Sequence, residues 1–450
     1  MTTAQKLAKL RAWAWPLLIL LITAVTVFRA YDFLRAPELR AEDGKKVFSF
    51  FYEHREWPRL FRVKAGYVPF LPNLLGLISV RLPPRATPYF LAIAPTLLAA
   101  FTASVFGAPA FRRFVPKDSV RYAVCLSFAV APIGPMLTTS NTDYSIWNAL
   151  TLLLWLVLLP LPRNKLTSVL FACALSVLIW SHPLSVVALP ATLVWLWRER
   201  AWFQRCVHAL LVACQGAHVW LGTRAGDASF AKGAGPWKRL DELASVTLRQ
   251  VCRDVVDHVF PWGPNAAWFP YAMTLLIAVA LLSCALLRKG RVASGVICAW
   301  LAYAIVAPTA LIVFARAEHG IAASRYHYVS NTFAQAAVCL ILVQLVVLVV
   351  RRLPQRTGVE LLPALAALAY FGYLGVSTER IAAFTGANAS NAQAVQRFFE
   401  QLAEEERTHG GHCGIHLRCQ KHGGDWSFAI DTRGSCESSA DSARDPELDH

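Results

Sequence analysis

The chain has 450 residues, 56% of them apolar and only 16% charged, against about 45–50% and about 25% in soluble domains. Its net charge is +16, yet Lys and Arg occur as small clusters between apolar blocks, without a basic domain or aromatic interleaving. That pattern excludes nucleic acid as a partner and reads as the positive-inside loops of a protein that takes the lipid bilayer as solvent.

The apolar residues come in blocks of about 18–24, the length that crosses about 30 Å of hydrocarbon at 1.5 Å per helical residue. The first block, from about Arg11 to Phe28, follows Lys6 and Lys9. It exceeds the apolar core of a signal peptide and is followed by no small-residue cleavage site, so it reads as an uncleaved span over 12–29. Further spans are predicted over 88–108, 119–137, 145–162, 166–182, 184–198, 204–222, 268–287, 292–314, 329–350 and 359–377. The stretch Val68 to Val80, ended by Arg81, Pro83 and Pro84, is too short to span and is predicted to be a re-entrant or interfacial helix. The expected fold is therefore an all-α polytopic membrane protein with about eleven transmembrane helices and extracytoplasmic amphipathic helices.

Positive charge falls on alternate loops: Lys6, Lys9 and Arg11; Arg112, Arg113, Lys117 and Arg121; Arg163 and Lys165; Arg198, Arg200 and Arg205; Arg288, Lys289 and Arg291; Arg351, Arg352 and Arg356. The short loops around Asn141 and His182 have none. This predicts a cytoplasmic amino terminus and an extracytoplasmic carboxyl terminus. The organisation expected is an N-terminal span (1–29), a first extracytoplasmic loop (30–87), a transmembrane bundle (88–222), a second loop (223–267), a second bundle (268–377) and an outer tail (378–450). The second loop contains an amphipathic stretch from Leu240 to Phe260. The tail turns polar after Gln393 and is expected to be disordered from Ser435 onward. No internal repeat of fixed period is present.

Candidate chemistry lies at the outer face. In Arg35-Ala-Pro-Glu-Leu-Arg40-Ala-Glu42-Asp43-Gly44, a carboxylate pair beside Gly suits a general base or a metal ligand close to the bilayer. Asp-Gly is equally a turn dipeptide. A divalent cation near Asp43 is compatible with the motif, and no cofactor is specified. Ser324-Arg325-Tyr326-His327-Tyr328 offers a guanidinium fork for phosphate; the alternative is a snorkelling interfacial anchor with Tyr in the aromatic belt. Asn141, Asp143 and His182 are each, singly, ordinary cap or turn residues, but with Asp43 and Arg325 they are expected to line one outer cavity.

There is no Walker loop, dinucleotide fingerprint, paired CxxC or HExxH, which argues against direct use of cytosolic energy donors. Of 11 cysteines, Cys252, Cys413, Cys419 and Cys436 are expected outside the membrane. They permit disulfides, or a metal site with His409, His412, His416 and His422, or neither.

The segment Pro37-Glu-Leu-Arg-Ala-Glu42-Asp43-Gly44, followed by Gly66-Tyr67 and an apolar run with Pro69 and Pro72, resembles the first extracytoplasmic loop of bacterial GT-C glycosyltransferases. Ser181-His182-Pro183 and Ser324-Arg325-Tyr326 resemble their outer-mouth motifs. The likeness is loose over the whole topology and close over about forty residues. It implies a polyprenyl-phosphate-linked sugar as donor, with Asp43 as the catalytic carboxylate and Glu42 its acidic neighbour. Arg325, Tyr326, His182, Asn141, Asp143 and Tyr67 would bind substrate. It also implies an enzyme of the bacterial inner membrane. One departure is Asn73, where a basic residue is expected. Such a donor supplies its own leaving group, so no nucleotide-binding domain is needed; the transfer needs a base for the acceptor hydroxyl and positive charge on the departing phosphate. The acceptor, whether saccharide, lipid or protein, is not named by any residue. The alternative reading is a transporter or flippase for a lipid-linked saccharide, which requires ionisable residues at the bilayer midplane; a structural membrane protein without chemistry is the third.

Overall fold

The computed structural model describes residues 3–35, 37, 43–53, 56–64, 67–130, 141–224, 240–260, 268–287, 292–315, 328–350, 362–377, 389–409, 415–421 and 424–430. These are helical almost throughout. The amino-terminal half contains α1 (Thr3–Arg29), α2 (Tyr31–Arg35), α3 (Phe50–Glu53), α4 (Phe70–Ser79), α5 (Thr87–Ser104), α6 (Asp118–Val130), α7 (Ser145–Leu156), α8 (Lys165–Ser181), α9 (Leu189–Arg198) and α10 (Trp202–Arg224). The remainder contains α11 (Leu240–Val259), α12 (Phe269–Leu287), α13 (Val292–Ala315), α14 (Tyr328–Val350), α15 (Leu362–Ser377) and α16 (Ala389–His409). Each apolar block expected to span overlaps one of these helices, although α7 (Ser145–Leu156) and α9 (Leu189–Arg198) are shorter than the 145–162 and 184–198 expected. Among the described residues, three stretches are long and apolar enough to cross a membrane by length and composition, Pro84–Arg113, Gly295–Val313 and Tyr328–Val347; shorter apolar helices include Trp13–Arg29, Lys165–Ser181 and Phe269–Ser283.

The helices handle polar groups as a bilayer demands. Hydroxyls of Thr26, Thr96, Thr151, Thr192 and Thr332 return to the carbonyl four residues earlier, so they enter an apolar medium already satisfied. Large apolar side chains such as Leu20, Leu275 and Leu282 lie more than half exposed on the bundle exterior. A coat of that kind suits lipid and not water. Inside, Trp155 is fully buried between Phe106, at 4.7 Å, and Phe333, at 4.6 Å between ring centroids. Indole and phenol donors then tie helices across: Trp300 Nε1 to the Leu154 carbonyl (3.0 Å), Trp195 Nε1 to Val157 (2.9 Å) and Tyr303 Oη to Val187 (3.0 Å).

Consecutive helices run up and down, so their ends gather at two faces. At one face Arg113 donates to the Leu158 carbonyl beyond α7, Gln204 donates to the Arg163 carbonyl (3.4 Å), and Arg205 donates to the Glu199 carbonyl. These are the loops that carry the clustered positive charge. Here Arg121 is wholly buried; its guanidinium pairs with Asp118 and donates to the Val115 carbonyl (2.7 Å). Asp118, also bonded to Arg112 at 2.9 and 3.0 Å, is held below the usual carboxylate range by that hydrogen bond first and by Arg121. Removing one partner of a buried pair strands the other charge. Asp118→Asn is therefore expected to destabilise the protein; because the carboxylate itself reaches solvent, the loss should stay near 1–3 kcal/mol. A thermal midpoint in detergent equal to that of the unchanged protein would contradict this.

A second, smaller core joins the first loop to the tail. Val47, Phe48, Phe51 and Tyr52 pack with Leu77 and Leu91, and with Val395, Phe398, Phe399 and Leu402 of α16. The polar-looking tail thus begins with an ordered amphipathic helix. Beyond it stands an antiparallel hairpin, β1 (Ile415–Lys421) with β2 (Gly424–Ile430), in which Cys419 faces Trp426 in register. The alternation in Ile415-His-Leu417-Arg-Cys419 suits a strand, and the hairpin adds a strand element to the all-α expectation. Residues 410–414 and 431–450, with Cys413, Cys436 and the stretch from Ser435, lie outside the described residues.

Of the cysteines expected outside the membrane, Cys252 is a free, buried thiol, which accords with the alternative of neither disulfide nor metal at that residue. Its helix α11 packs against α12, α13 and α14.

Candidate functional site

At the face opposite the arginine-rich loops, Asp43 opens a wide π-helical turn, Asp43–Ser49. The turn is seated on α4, whose Gly76 makes the approach workable: a Cβ there would stand 2.6 Å from Phe51 Cδ2 and 2.7 Å from Val47 Cγ1. Helix α4 is in turn fixed by its leading amides. Leu71 N–H donates to Ser181 Oγ (3.1 Å) and Val68 N–H to His218 Nε2 (3.4 Å), which satisfies donors that a helix start leaves unpaired.

Asp43 is only 2% exposed. Its carboxylate accepts the backbone N–H of Thr142 (3.2 Å to Oδ2) and of Asp143 (2.9 Å to Oδ1). Thr142 is pinned by its own hydroxyl to the Leu91 carbonyl (2.8 Å). Asn141 Oδ1 accepts the Tyr144 N–H (3.0 Å), so Asn141 fills the turn role and Asp43 secures the next two amides from across the fold. Asp143, also buried, forms an ion pair with Lys64 at 2.5 Å (Nζ to Oδ1). Lys64 in turn exchanges backbone hydrogen bonds with Tyr67, at 2.7 and 3.1 Å.

The fold therefore brings Asp43, Asn141, Asp143 and Tyr67 into one hydrogen-bonded chain running through Lys64. His182 lies beside it and not in it. It ends α8 and caps the following 3-10 turn, Nδ1 accepting the Leu184 N–H (3.0 Å). That bond assigns the other nitrogen as the N–H donor. The ring packs edge-on against Trp147 at 4.4 Å, and Nε2 is buried with no hydrogen-bond partner among the described residues. Glu42, Arg325 and Tyr326 lie outside the described residues.

Asn73, where a basic residue is expected, donates from Nδ2 to the Leu60 carbonyl (2.9 Å) and the Arg62 carbonyl (3.4 Å). It holds the strand of chain leading to Lys64. Lys64 is the residue that sequence reasoning passes over. The available signal was a lysine in an outward loop, where the positive-inside pattern does not call for one, two residues before Gly66-Tyr67. His218, buried near the end of α10 and meeting Ser185 (3.4 Å) as well as Val68, was hidden in an apolar block.

As for a divalent cation near Asp43, both carboxylate oxygens already face backbone N–H groups and Asp143 faces Lys64. No group of three His, Cys, Asp or Glu side chains is assembled among the described residues. No family model, curated protein or solved structure matches this chain.

Proposed function

We propose that this chain is a membrane glycosyltransferase of the GT-C kind, moving a sugar from a polyprenyl-phosphate donor to an acceptor on the extracytoplasmic side. In this reading about eleven helices span the bilayer of a bacterial inner membrane, with the amino terminus cytoplasmic and the arginine-rich face inward. The observation that supports it most is the pairing of a buried, backbone-oriented carboxylate, Asp43, with the Lys64–Asp143 ion pair at one end of the bundle.

Each carboxylate oxygen has more than one acceptor site, so Asp43 can hold two amides and still take a proton. The acceptor hydroxyl oxygen attacks the anomeric carbon, its proton passes to Asp43, and the bond from that carbon to the phosphate oxygen breaks. The lipid phosphate leaves with the electron pair. Lys64, whose ammonium has three donors of which one is on Asp143, and Arg325 supply positive charge to that leaving group. His182 and Tyr67 flank the sugar, and Glu42 adjoins the base. The transporter alternative asks for charge at mid-membrane; among the described residues the ion pairs lie at helix ends or in loops, which favours the enzyme.

The test uses purified protein in vesicles with labelled polyprenyl-phosphate sugars, reading release of free polyprenyl phosphate. Lys64→Gln should raise the KM for donor by about tenfold, the scale of one charge-assisted contact to phosphate, with a smaller change in kcat. Absence of release from every such donor by folded protein would sink the reading.

A further inference from the structure

A second site stands at the other end of the bundle. Helix α7 has 12 residues, so about 18 Å of helix at 1.5 Å per residue lies between Asp143 and Leu158. Beside Leu158, between α9, α13 and the turn Pro109–Arg113, lies a cavity of about 620 Å³, within the range of roughly 300–1,000 Å³ typical of ligand sites. Its walls are mostly apolar, with Val194, Val296, Ala299 and Trp300 among them, and its only charged lining residues among the described residues are Arg113 and Arg198. Val194 and Val296 are about half exposed on the bundle exterior, so the cavity is a groove open at that surface.

Both arginines line this cavity, and among the described residues its lining holds no counter-ion. Arg113 is held over Phe114 at 4.4 Å and over Trp195 at 5.2 Å, and donates to the Leu158 carbonyl. Like charges brought together on a greasy wall are stabilised by an anion between them. Apart from the two arginines, the polar side chains of the lining, Trp195, Trp300 and Tyr303, already donate to backbone carbonyls, so a soluble phosphate compound gains little from the walls, whereas an acyl chain gains along its whole length.

We propose that this groove binds an anionic phospholipid of the leaflet at the arginine-rich face, its acyl chain along α9 and α13 and its phosphate between Arg113 and Arg198. The anionic lipids of a cytoplasmic leaflet supply such a headgroup. The inference rests on the groove alone and stands whether or not the chain transfers sugar.

Native mass spectrometry of the detergent-solubilised protein with dioleoyl phosphatidylglycerol, dioleoyl phosphatidylethanolamine or inorganic phosphate tests it. Phosphatidylglycerol should be retained in preference to phosphatidylethanolamine. R198A should lower its affinity by roughly fivefold, the scale of one cation at a lipid surface, while R198K keeps most of it. Arg198 is exposed on its helix end, so R198A should stay folded. V194W, which fills the groove without changing charge, should cut retention of phosphatidylglycerol as well. Equal retention of the two lipids, no response to R198A or no response to V194W would each overturn the proposal. So would inorganic phosphate raising the melting temperature as much as phosphatidylglycerol does, since that assigns a phosphate site without a lipid.

Discussion

Asp43→Asn is expected to lower transfer by about 10² or more, the usual scale of a lost general base. The substitution has a structural cost that must be separated from the catalytic one. The carboxylate accepts two backbone N–H groups, from Thr142 and Asp143. An amide offers one oxygen, and its Nδ2 donor would meet the second N–H. Leaving a buried donor unsatisfied costs about 1–3 kcal/mol, so the Thr142–Asp143 turn should loosen even if Asp43 does no chemistry. The measurements are therefore transfer per folded molecule and the thermal midpoint, taken on Asp43→Asn and on Asp143→Asn. The second variant keeps the backbone N–H and removes only the ion pair with Lys64. It should retain the larger part of kcat while donor binding weakens. If Asp43→Asn transfers normally, Asp43 is only the clasp between the first loop and α7, and the catalytic assignment fails. If Asp143→Asn loses kcat as completely as Asp43→Asn, the activity follows the turn and not the carboxylate at position 43.

The helices were legible because lipid imposes its own length on a sequence. A block such as Val292–Ala315 must be long, apolar on all faces and bounded by charge, and composition alone shows that. The acidic motif was legible for a local reason too: Asp43 lies beside Gly44, after a span, in a stretch rich in charge. What could not be read was which surfaces meet. The stretch Leu240–Val259 has one polar and one apolar face, and the same pattern serves a helix lying on headgroups or one packed against protein. The structure selects protein, burying Val251, Cys252 and Val259. The Lys64–Asp143 pair is separated by 79 residues, and no local periodicity marks either partner. Asn73 was legible only as a departure from a pattern; its hold on the Leu60 and Arg62 carbonyls depends on how the chain folds back before α4.

The tail gives the sharpest case, and Phe399→Ala is expected to have the largest effect on stability of any single change in the outer region. By composition, Ala389–His409 is a polar segment near the end of the chain, ending in Glu404-Glu405-Glu406. Yet Phe399 is 1% exposed and meets Phe48 edge-on at 5.0 Å between ring centroids. Phe48 sits in the turn that begins with Asp43, and Phe51, one turn on, is pressed against Gly76 of α4. The first loop and α16 thus share one small core, and the carboxylate rides on it. Truncating a buried Phe costs about 3–5 kcal/mol, because packing is lost and a cavity is left. A core this small, built on Val47, Phe48, Phe51, Tyr52, Leu77, Val395, Phe398 and Leu402, has few neighbours to collapse into the space. Amide hydrogen exchange across 47–52 should therefore speed up by a factor of 10² or more, following the change in local opening free energy, while α7 and α14 keep their protection. Transfer should fall with it, since Asp43 loses the seat that aims it at Thr142. Glu404→Ala serves as the control: its ion pair with Arg407 is exposed on both sides, and exposed pairs contribute about 0–1 kcal/mol, so exchange and transfer should both stay near normal. Unchanged exchange over 47–52 in Phe399→Ala would mean that α16 does not support the Asp43 turn, and the link between the tail and the site would be lost.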